Sequence, residues 1–409
     1  MLNADNLLLL ISATLLLSYI SNLMYHKTSI PDIVWLLGFG IILGPILGYF
    51  DKPSFISLSP LMSTVALSII LFDAGIHLDI TILIKSISKA TVLSISTILS
   101  VIFAVGYGLN YVLPSSFTLL EAMLLGAMIG GTSTIAVISV LDGLQKIISD
   151  IEGTRLILLM ESIISDPVCI IASITLIKMI MMPGVTIFDS IKEIISTFTL
   201  SSFFGLVIGQ LWAEVLNKLQ GRSLNYIMTL SILFPTYLFA ERIIGAGGGP
   251  MAALTFGLML TNYENIARRV GVNRNPKIDK ERLREFHEEI TYFIKAFFFV
   301  YIGLIATISR ETVVIGLGVL VLILFIRYIV VGVVGAGFNF SKQEQILSIL
   351  VYASGLPAFV MSQLPMIYDP NKQFFNNPEI YPNLVMPIVL GTVLFAALSA
   401  PTLAKRILK

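Results

Sequence analysis

Two carboxylates lie close together in a stretch of sequence that is otherwise almost without charge. Glu161 and Asp166 occur in the segment Met160-Glu-Ser-Ile-Ile-Ser-Asp-Pro167, inside an apolar run from Leu156 to Ile180. An ionised side chain at the centre of a bilayer is costly, so an acid at this depth is a candidate for function. Five residues at about 100° each place the two carboxylates about 140° apart around a helix. One small ligand is therefore not expected to bind both acids, and we predict that they have different roles.

Basic residues in other apolar runs are the candidate partners of these acids. Arg327 and Lys295 each lie inside such a run. Arginine stays charged at any relevant pH, which suits a permanent buried pair, so we predict a structural ion pair between Glu161 and Arg327. Lys295 either pairs with an acid or extends its amine to the membrane surface. Asp73 lies near the end of another run and is expected at the membrane interface.

Because Glu161 is assigned to Arg327, Asp166 is the acid that we expect to exchange ions. At membrane depth a carboxylate is neutralised by either one proton or one monovalent cation, and competition between the two is the physical basis of antiport. Ser162 lies four residues before Asp166 and shares its helix face. The alternative is a structural carboxylate that caps the helix break before Pro167.

Two further apolar runs are interrupted near their middle. One contains Gly130-Gly-Thr-Ser-Thr134 and the other Ser354-Gly-Leu-Pro357. Glycine and proline weaken a helix and leave backbone carbonyls without helical partners. At membrane depth such groups are tolerated only where protein or a water-filled cavity satisfies them. Each break alone could be a plain kink, but a pair at matching positions of two halves points to a transport site.

The composition requires elements that cross a membrane. Of the 409 residues, 12% are charged and 56% are hydrophobic, whereas a soluble domain has about 25% charged residues. The net charge of +1 gives no electrostatic case for binding nucleic acid. No nucleophile–base set, metal-ligand cluster or phosphate-binding loop is visible, so neither an enzyme nor a cofactor is expected. The three histidines, His26, His77 and His287, are expected to be solvated.

Apolar runs of about 20 residues predict an all-α integral membrane protein with about thirteen transmembrane helices. The predicted spans are 7–25, 31–50, 58–76, 88–113, 117–141, 154–181, 188–216, 225–243, 248–262, 287–308, 312–337, 344–366 and 381–404. Lys and Arg concentrate in alternate loops, which predicts an N-terminus outside the cell membrane and a cytoplasmic C-terminus. The basic segment 262–286 is expected to anchor the cytoplasmic side, with lipid binding or regulation as the alternative.

Similar motifs recur seven spans apart. Leu37-Gly-Phe-Gly40 in the second span is similar to Leu254-Thr-Phe-Gly257 in the ninth, and the ends of the third and tenth spans are also similar. Consecutive spans cross the membrane in opposite directions, so two spans that are seven apart also cross it in opposite directions. The sequence therefore predicts two inverted six-helix repeats, residues 1–182 and 225–409, joined by a linker helix in 183–224. Inverted repeats are typical of secondary transporters, and the interrupted fifth and twelfth spans occupy matching positions.

These stretches resemble the monovalent cation:proton antiporter superfamily, and within it the NhaP/NHE-like sodium/proton antiporters. The segment Glu161-Ser-Ile-Ile-Ser-Asp-Pro167 is similar to the Glu-Ser-x-x-Asn-Asp-Pro helix of that family. The other three similar stretches are Ile30–Pro45, Leu71–Asp79 and Phe297–Leu304. The resemblance implies a core domain, about 88–181 plus 312–409, with crossed and unwound helices five and twelve. It also implies a homodimer in lipid, joined through a dimerisation domain built from the remaining helices, and an elevator-type movement of the core.

The resemblance also implies the roles of the site residues. Asp166 would carry the ion and the proton in turn, and Glu161 would be the paired acid. Asp166, Ser162 and Thr132 would bind Na⁺, with Ser133 beside them at the break. The other candidate polar residues are Ser165, Ser354, Lys295 and Asp73.

The chain departs from the family pattern at three places. Thr132-Ser-Thr134 stands where the family usually has Thr-Asp-Pro, Ser165 replaces an asparagine, and Ser354 replaces an arginine. The first of these resembles the Ser-Ser-Thr of the Kef-like potassium branch. The favoured interpretation is electroneutral exchange of Na⁺ or Li⁺ for H⁺ by one carboxylate. A K⁺/H⁺ antiporter is the nearest alternative, followed by a cation channel and a sodium-coupled solute symporter.

Overall fold

The computed structural model describes residues 4–28, 30–50, 55–56, 58–78, 87–145, 148, 151–182, 187–219, 226–270 and 279–408. Within these residues all regular secondary structure is helical. The α-helices are α1 Ala4–Thr28, α2 Asp32–Ile41, α3 Ser59–His77, α4 Ile87–Val112, α5 Leu119–Ile129, α6 Thr134–Gln145, α7 Glu152–Met181, α8 Ile187–Lys218, α9 Ile227–Phe239, α10 Gly248–Val270, α11 Lys280–Ile305, α12 Arg310–Gly337, α13 Lys342–Leu350, α14 Leu356–Ser362, α15 Leu364–Tyr368 and α16 Ile380–Leu408. A π-helical turn extends α2 over Ile42–Ile46, and another extends α9 over Ala240–Ile244.

Seven helices in the described part of the chain are long and apolar enough to cross a membrane, so the chain is a multi-pass membrane protein. These stretches are Leu8–Tyr25, Lys89–Val112, Glu152–Met181, Ile195–Lys218, Ile227–Ile244, Arg310–Gly337 and Ile380–Ile407. Shorter apolar helices occupy most of the other predicted spans, and the count of thirteen remains a prediction. Two of those spans are divided by non-helical residues, at 130–133 and at 351–355, and each half alone is too short to cross hydrocarbon.

The helices extend beyond the predicted spans where polar residues follow the apolar ones. The ninth span was predicted to end at residue 262, but α10 continues to Val270, and α11 begins at Lys280, seven residues before the predicted tenth span. Hydropathy identifies only the part of a helix that lies in the hydrocarbon. A helix can continue beyond that part, because charged residues also form helix where water surrounds them. Of the basic segment 262–286, residues 271–278 lie outside the described residues.

The chain forms two compact units. The first contains residues 1–62, 86–183 and 296–409, and the second contains residues 63–85 and 184–295. In the first unit α4 packs against α5, α7 and α12, and α12 packs against α16. In the second unit α8 packs along α10, which also contacts α9. The predicted division at residues 182 and 225 follows the repeats, and it remains a prediction.

Glycines allow two close helix crossings, one inside each unit. In the first unit, a Cβ at Gly40 of α2 would overlap the Val300 carbonyl and the Gly303 backbone of α11. In the second unit, a Cβ at Gly257 of α10 would overlap the carbonyl of Phe72 in α3, and one at Gly75 would overlap the carbonyl of Leu254. Only glycine therefore lets these backbones approach so closely.

Candidate ion-binding site

The break between α5 and α6 is held against α7 by two serines. Ser162 Oγ donates a hydrogen bond to the Thr132 carbonyl at 3.0 Å, and the Thr132 amide donates to Ser165 Oγ at 3.1 Å. Ser165 Oγ in turn donates to the Ser162 carbonyl at 3.0 Å. Both backbone polar groups of Thr132 are thus satisfied by α7, which is how a non-helical residue is stabilised at membrane depth.

The break between α13 and α14 contacts the first break directly. The Ser133 amide donates to the Ala353 carbonyl at 2.7 Å. A Cβ added to Gly355 would overlap the side chain of Ser133, so the second segment must have glycine there. The two non-helical segments are therefore adjacent, and the side chain of Ser133 lies against Gly355.

Side chains of the second break also satisfy the carbonyl end of α5. The last carbonyls of a helix have no helical partner. Tyr352 donates its hydroxyl to the Ile129 carbonyl at 3.1 Å, and the Ser354 hydroxyl lies at the same distance from that carbonyl. The Ser354 amide donates to Thr392 Oγ1 of α16 at 3.1 Å. Ser354 therefore acts here as a neutral cap, at the position where the family pattern has an arginine.

Thr132 and Asp166 are two of the residues for which the sequence predicts ion binding. The Thr132 hydroxyl is buried and has no hydrogen-bond partner in the described part of the chain. Asp166 is half-buried and lies one helical turn after Ser162, the residue that contacts the first break. Among the described residues there is no group of three His, Cys, Asp or Glu side chains that could hold a metal ion. The contacts around Ser162 Oγ involve the Thr134 hydroxyl and the Thr132 carbonyl, which are both neutral oxygen groups.

Glu161 and Arg327 form a bidentate ion pair away from solvent. Arg327 Nη1 contacts Glu161 Oε1, and Nη2 donates to Oε2 at 2.8 Å. The two residues have exposed fractions of 2% and 0%. Arg327 also donates from Nε to the Ser348 carbonyl at 2.8 Å and from Nη1 to Thr97 Oγ1 at 2.9 Å, and its guanidinium lies over the Tyr352 ring. The arginine thus joins α12 to α4, α7 and α13.

Asp73 and Lys295 belong to the second unit and pair with each other. Lys295 Nζ lies 3.3 Å from Asp73 Oδ2. Of the two alternatives for Lys295, the structure therefore shows the pair with an acid. Asp73 has an exposed fraction of 8%, so its side chain is buried in the protein, and its expected position at the membrane interface stays a prediction. His77, one turn after Asp73, donates from Nδ1 to the Asp73 carbonyl at 2.8 Å and lies 2.8 Å from Glu288 Oε1 through Nε2.

His287 is buried, contrary to the expectation of a solvated histidine. Its exposed fraction is 0%, and its ring packs edge-on against Phe72 of α3 at 4.8 Å between centroids. The expectation failed because α11 begins at Lys280, so His287 lies two turns inside the helix, on the side that faces α3. The side chain of His26 lies outside the described residues.

Thr134 is a site residue that the sequence did not indicate. Its Oγ1 lies 2.8 Å from Ser162 Oγ, at the first residue of α6. Thr97 and Ser348, the additional partners of Arg327, were also missed. A lone hydroxyl or a single backbone carbonyl has no sequence signature, because its role depends on which helices pack together.

Comparisons with known proteins identify a family and similar sequences. The family described as "Sodium/hydrogen exchanger, transmembrane" matches residues 12–409. The Na⁺/H⁺ antiporter ApNhaP of Aphanothece halophytica is 27% identical over 307 residues, which are 74% of this chain and 54% of that protein. The probable Na⁺/H⁺ antiporter 2 of Methanocaldococcus jannaschii is 26% identical over 283 residues, or 68% of this chain and 64% of that protein. The chain thus spans between about half and two thirds of the length of these curated relatives.

A solved structure shares the fold along nearly the whole chain. The sodium proton antiporter MjNhaP1 from Methanocaldococcus jannaschii, determined at pH 8, superposes with a TM-score of 0.78 and 19% sequence identity. The superposition covers 98% of this chain and 99% of that one. Because the family match extends over residues 12–409, this protein belongs to the transmembrane sodium/hydrogen exchanger family.

Proposed function

We propose that this protein is a secondary active transporter that exchanges Na⁺, or Li⁺, for protons across the cell membrane. Family membership and the antiporter names of the two curated relatives support this assignment. The observation that carries it is the buried Thr132 hydroxyl, which has no hydrogen-bond partner among the described residues. This oxygen lies at a helix break bound to Ser162, one turn before Asp166, where an alkali cation would supply the missing partner.

In this proposal Asp166 is the shared carrier, and Thr132 and Ser162 complete the cation site. A hard cation such as Na⁺ prefers oxygen ligands, and a carboxylate neutralises its charge. When the cation leaves, a proton takes its place on Asp166, so the carrier crosses in a neutral form. Ser133 brings no second acid to the break, which makes the exchange one charge for one and therefore electroneutral.

We propose further that the two breaks form the crossed, unwound helices five and twelve of two inverted repeats. The glycine crossings support the repeats. When the two halves are aligned by their similar motifs, Gly40 corresponds to Gly257 and Gly75 to Gly303. A two-fold relation between the halves would exchange the Gly40–Gly303 crossing with the Gly257–Gly75 crossing, and both crossings are present.

The remaining parts of the proposal follow from the family and the charge distribution. The core would consist of about 88–181 and 312–409 and would move elevator-fashion past a dimerisation domain, within a homodimer. The N-terminus would lie outside and the C-terminus in the cytoplasm, because Lys and Arg favour the cytoplasmic loops.

The test is transport by the purified protein in proteoliposomes that contain a pH-sensitive dye. Addition of Na⁺ or Li⁺ to acid-loaded vesicles should dissipate the pH gradient, and Asp166→Asn should abolish this response because an amide cannot exchange a proton for a cation. Asp142→Asn is the matched control, since Asp142 forms a partly exposed ion pair with Arg155.

Three results would replace the proposal. A response to K⁺ alone would make the protein a K⁺/H⁺ antiporter, the alternative that the neutral Thr-Ser-Thr break favours. A cation current without a pH gradient would indicate a channel, and a response that requires an organic solute would indicate a symporter. Substantial antiport by Asp166→Asn would overturn the role of Asp166.

A further inference from the structure

We infer that Thr134 is a positioning residue that fixes the hydroxyl of Ser162 in the orientation that cation binding requires. The inference rests on the proposed function, in which Ser162 is a cation ligand. Thr134 Oγ1 lies 2.8 Å from Ser162 Oγ, and Ser162 is fully buried. No role for residue 134 follows from the family pattern, which has a proline there without a hydroxyl or an amide proton.

The direction of this hydrogen bond follows from counting protons. A serine hydroxyl has one proton and two lone pairs. The Thr132 carbonyl can only accept, so the 3.0 Å contact with it uses the proton of Ser162. The contact with Thr134 must then use the Thr134 proton, and Ser162 is the acceptor. One lone pair of Ser162 remains for a further interaction.

This arrangement prepares Ser162 for a cation and not for an anion or a proton acceptor. A hydroxyl binds a cation through a lone pair, with its own proton directed away from the ion. The Thr132 carbonyl holds that proton, and Thr134 occupies one of the two lone pairs, so the hydroxyl cannot rotate without losing a hydrogen bond. The remaining lone pair therefore has a fixed direction before a cation arrives, which lowers the entropic cost of binding.

The fold fixes Thr134 itself at both sides. The preceding residue, Ser133, is tied to the second break through its amide, and α6 begins at Thr134. The hydroxyl that orients Ser162 is therefore supplied by the start of a helix whose position depends on both breaks. A movement of the second break would be transmitted to Ser162 through Ser133 and Thr134.

The experiment measures cation-dependent proton transport in proteoliposomes for wild type, Thr134→Val, Thr134→Ser, Ser162→Ala and the double variant Thr134→Val/Ser162→Ala. We expect Thr134→Val to raise the KM for the cation roughly two- to tenfold, the range for immobilising one side chain, with a maximal rate close to wild type. Thr134→Ser, which keeps the hydroxyl, should restore the wild-type KM. The double variant Thr134→Val/Ser162→Ala should have the same KM as Ser162→Ala alone.

Several outcomes would overturn the inference. An unchanged KM in Thr134→Val would do so. An equal rise in KM when Thr134→Val is added to Ser162→Ala would also do so, as would a KM of Thr134→Ser that differs from the wild-type value. A purely structural role would lower the melting temperature and the maximal rate in both backgrounds and leave KM unmoved. Thr134→Ala replaces the valine variant if the latter does not purify.

A failure of the proposed function would be recognised separately. If wild type exchanges no cation for protons, the melting temperatures of the same five proteins are compared with and without Na⁺, Li⁺ or K⁺. Stabilisation by cation in wild type and Thr134→Ser, reduced in Thr134→Val, would still support the positioning role. No stabilisation of wild type by any of the three ions would contradict it.

Discussion

A single guanidinium organises the polar interior of the first unit. Arg327 binds Glu161 through both Nη1 and Nη2, and it also reaches a carbonyl of α13 through Nε and a hydroxyl of α4 through Nη1. A buried charge pair gains stability only when the geometry and the additional hydrogen bonds offset the loss of hydration. Here the arginine has a partner on three other helices, so the pair fixes their relative positions as well as its own charge.

The first prediction concerns the loss of either partner of this pair. Glu161→Gln and Arg327→Met should each lower the free energy of unfolding by roughly 3–5 kcal/mol, because the remaining charge stays buried without its partner. Unfolding in detergent measures this effect. Arg155→Met is the control, since Arg155 and Asp142 are partly exposed and such a pair contributes about 0–1 kcal/mol. The buried pair would be refuted by single variants as stable as the control.

The second prediction concerns Asp369, in the loop between α15 and α16. Its Oδ1 accepts from the Gln373 amide at 2.9 Å, and its Oδ2 accepts from the amides of Phe374 at 2.8 Å and Phe375 at 2.9 Å. Burial raises the pKa of this carboxyl, but the three amide donors outweigh burial, so the pKa of Asp369 lies below its ordinary value. A depressed pKa stabilises the fold above the unfolded pKa, near 4, and this stabilisation is lost as pH falls through the folded pKa.

Asp369→Asn should therefore unfold at a temperature a few degrees lower than wild type at pH 7. The difference should shrink as the pH falls below about 4. Melting curves from pH 7 to pH 3 test this, with the exposed Asn371→Ala as the control from the same loop. A difference that is the same at every pH would mean that the charge of the carboxylate is not what stabilises the loop.

At the scale of helices, the two glycine crossings give the third prediction. Gly40→Ala and Gly257→Ala each force a methyl group into a neighbouring backbone and should destabilise the protein by roughly 1–3 kcal/mol, the usual effect of overpacking. Gly38 lies on the same helix as Gly40 and has no atom within 4 Å of an added Cβ. Gly38→Ala should be neutral or stabilising, since alanine favours helix over glycine. Equal unfolding of the Gly38 and Gly40 variants would show that the crossing is not tight.

The helices were largely predictable because a helix that crosses the hydrocarbon needs about 20 apolar residues, and such runs are visible in the sequence. The interruptions at 130–133 and 351–355 were also predictable, since glycine and proline in the middle of an apolar run disfavour a continuous helix. The burial of Asp73 and His287 was not predictable. Both lie near the ends of apolar runs, and only the packing of α11 on α3 decides that they face protein and not water.

At the candidate site, the charged residues were indicated by the sequence, whereas the contacts of the hydroxyl groups depend on how the helices pack. Glu161 and Arg327 could be identified as a pair because a charge inside an apolar run is costly and therefore informative; the role of Asp166, which has the same signal, stays a prediction. Thr134 and Thr97 could not be identified, because a threonine is common in membrane helices and its hydroxyl can also bond to its own helix. The difference in helix face predicted only that the two acids have different roles, and the structure shows Glu161 as the partner of Arg327.

At the scale of the whole molecule, the last prediction is that exchange moves no net charge. Among the residues at the two breaks, Ser133 and Ser354 are neutral, and the side chain of Ser133 packs against Gly355. With Asp166 as the one exchanging carboxylate, one proton is released for each monovalent cation that binds.

The initial rate of Na⁺-driven proton movement should then be independent of an imposed membrane potential. Proteoliposomes with a K⁺ gradient and valinomycin provide the potential, after K⁺ has been tested and excluded as a substrate. Vesicles containing Asp166→Asn give the background leak. A rate that rises steeply with an inside-negative or inside-positive potential would mean that protons and cations are exchanged unequally. A second titrating group besides Asp166 would then have to take part, and Asp73 of the second unit, whose carboxylate pairs with Lys295, would be the first to examine by substitution with asparagine.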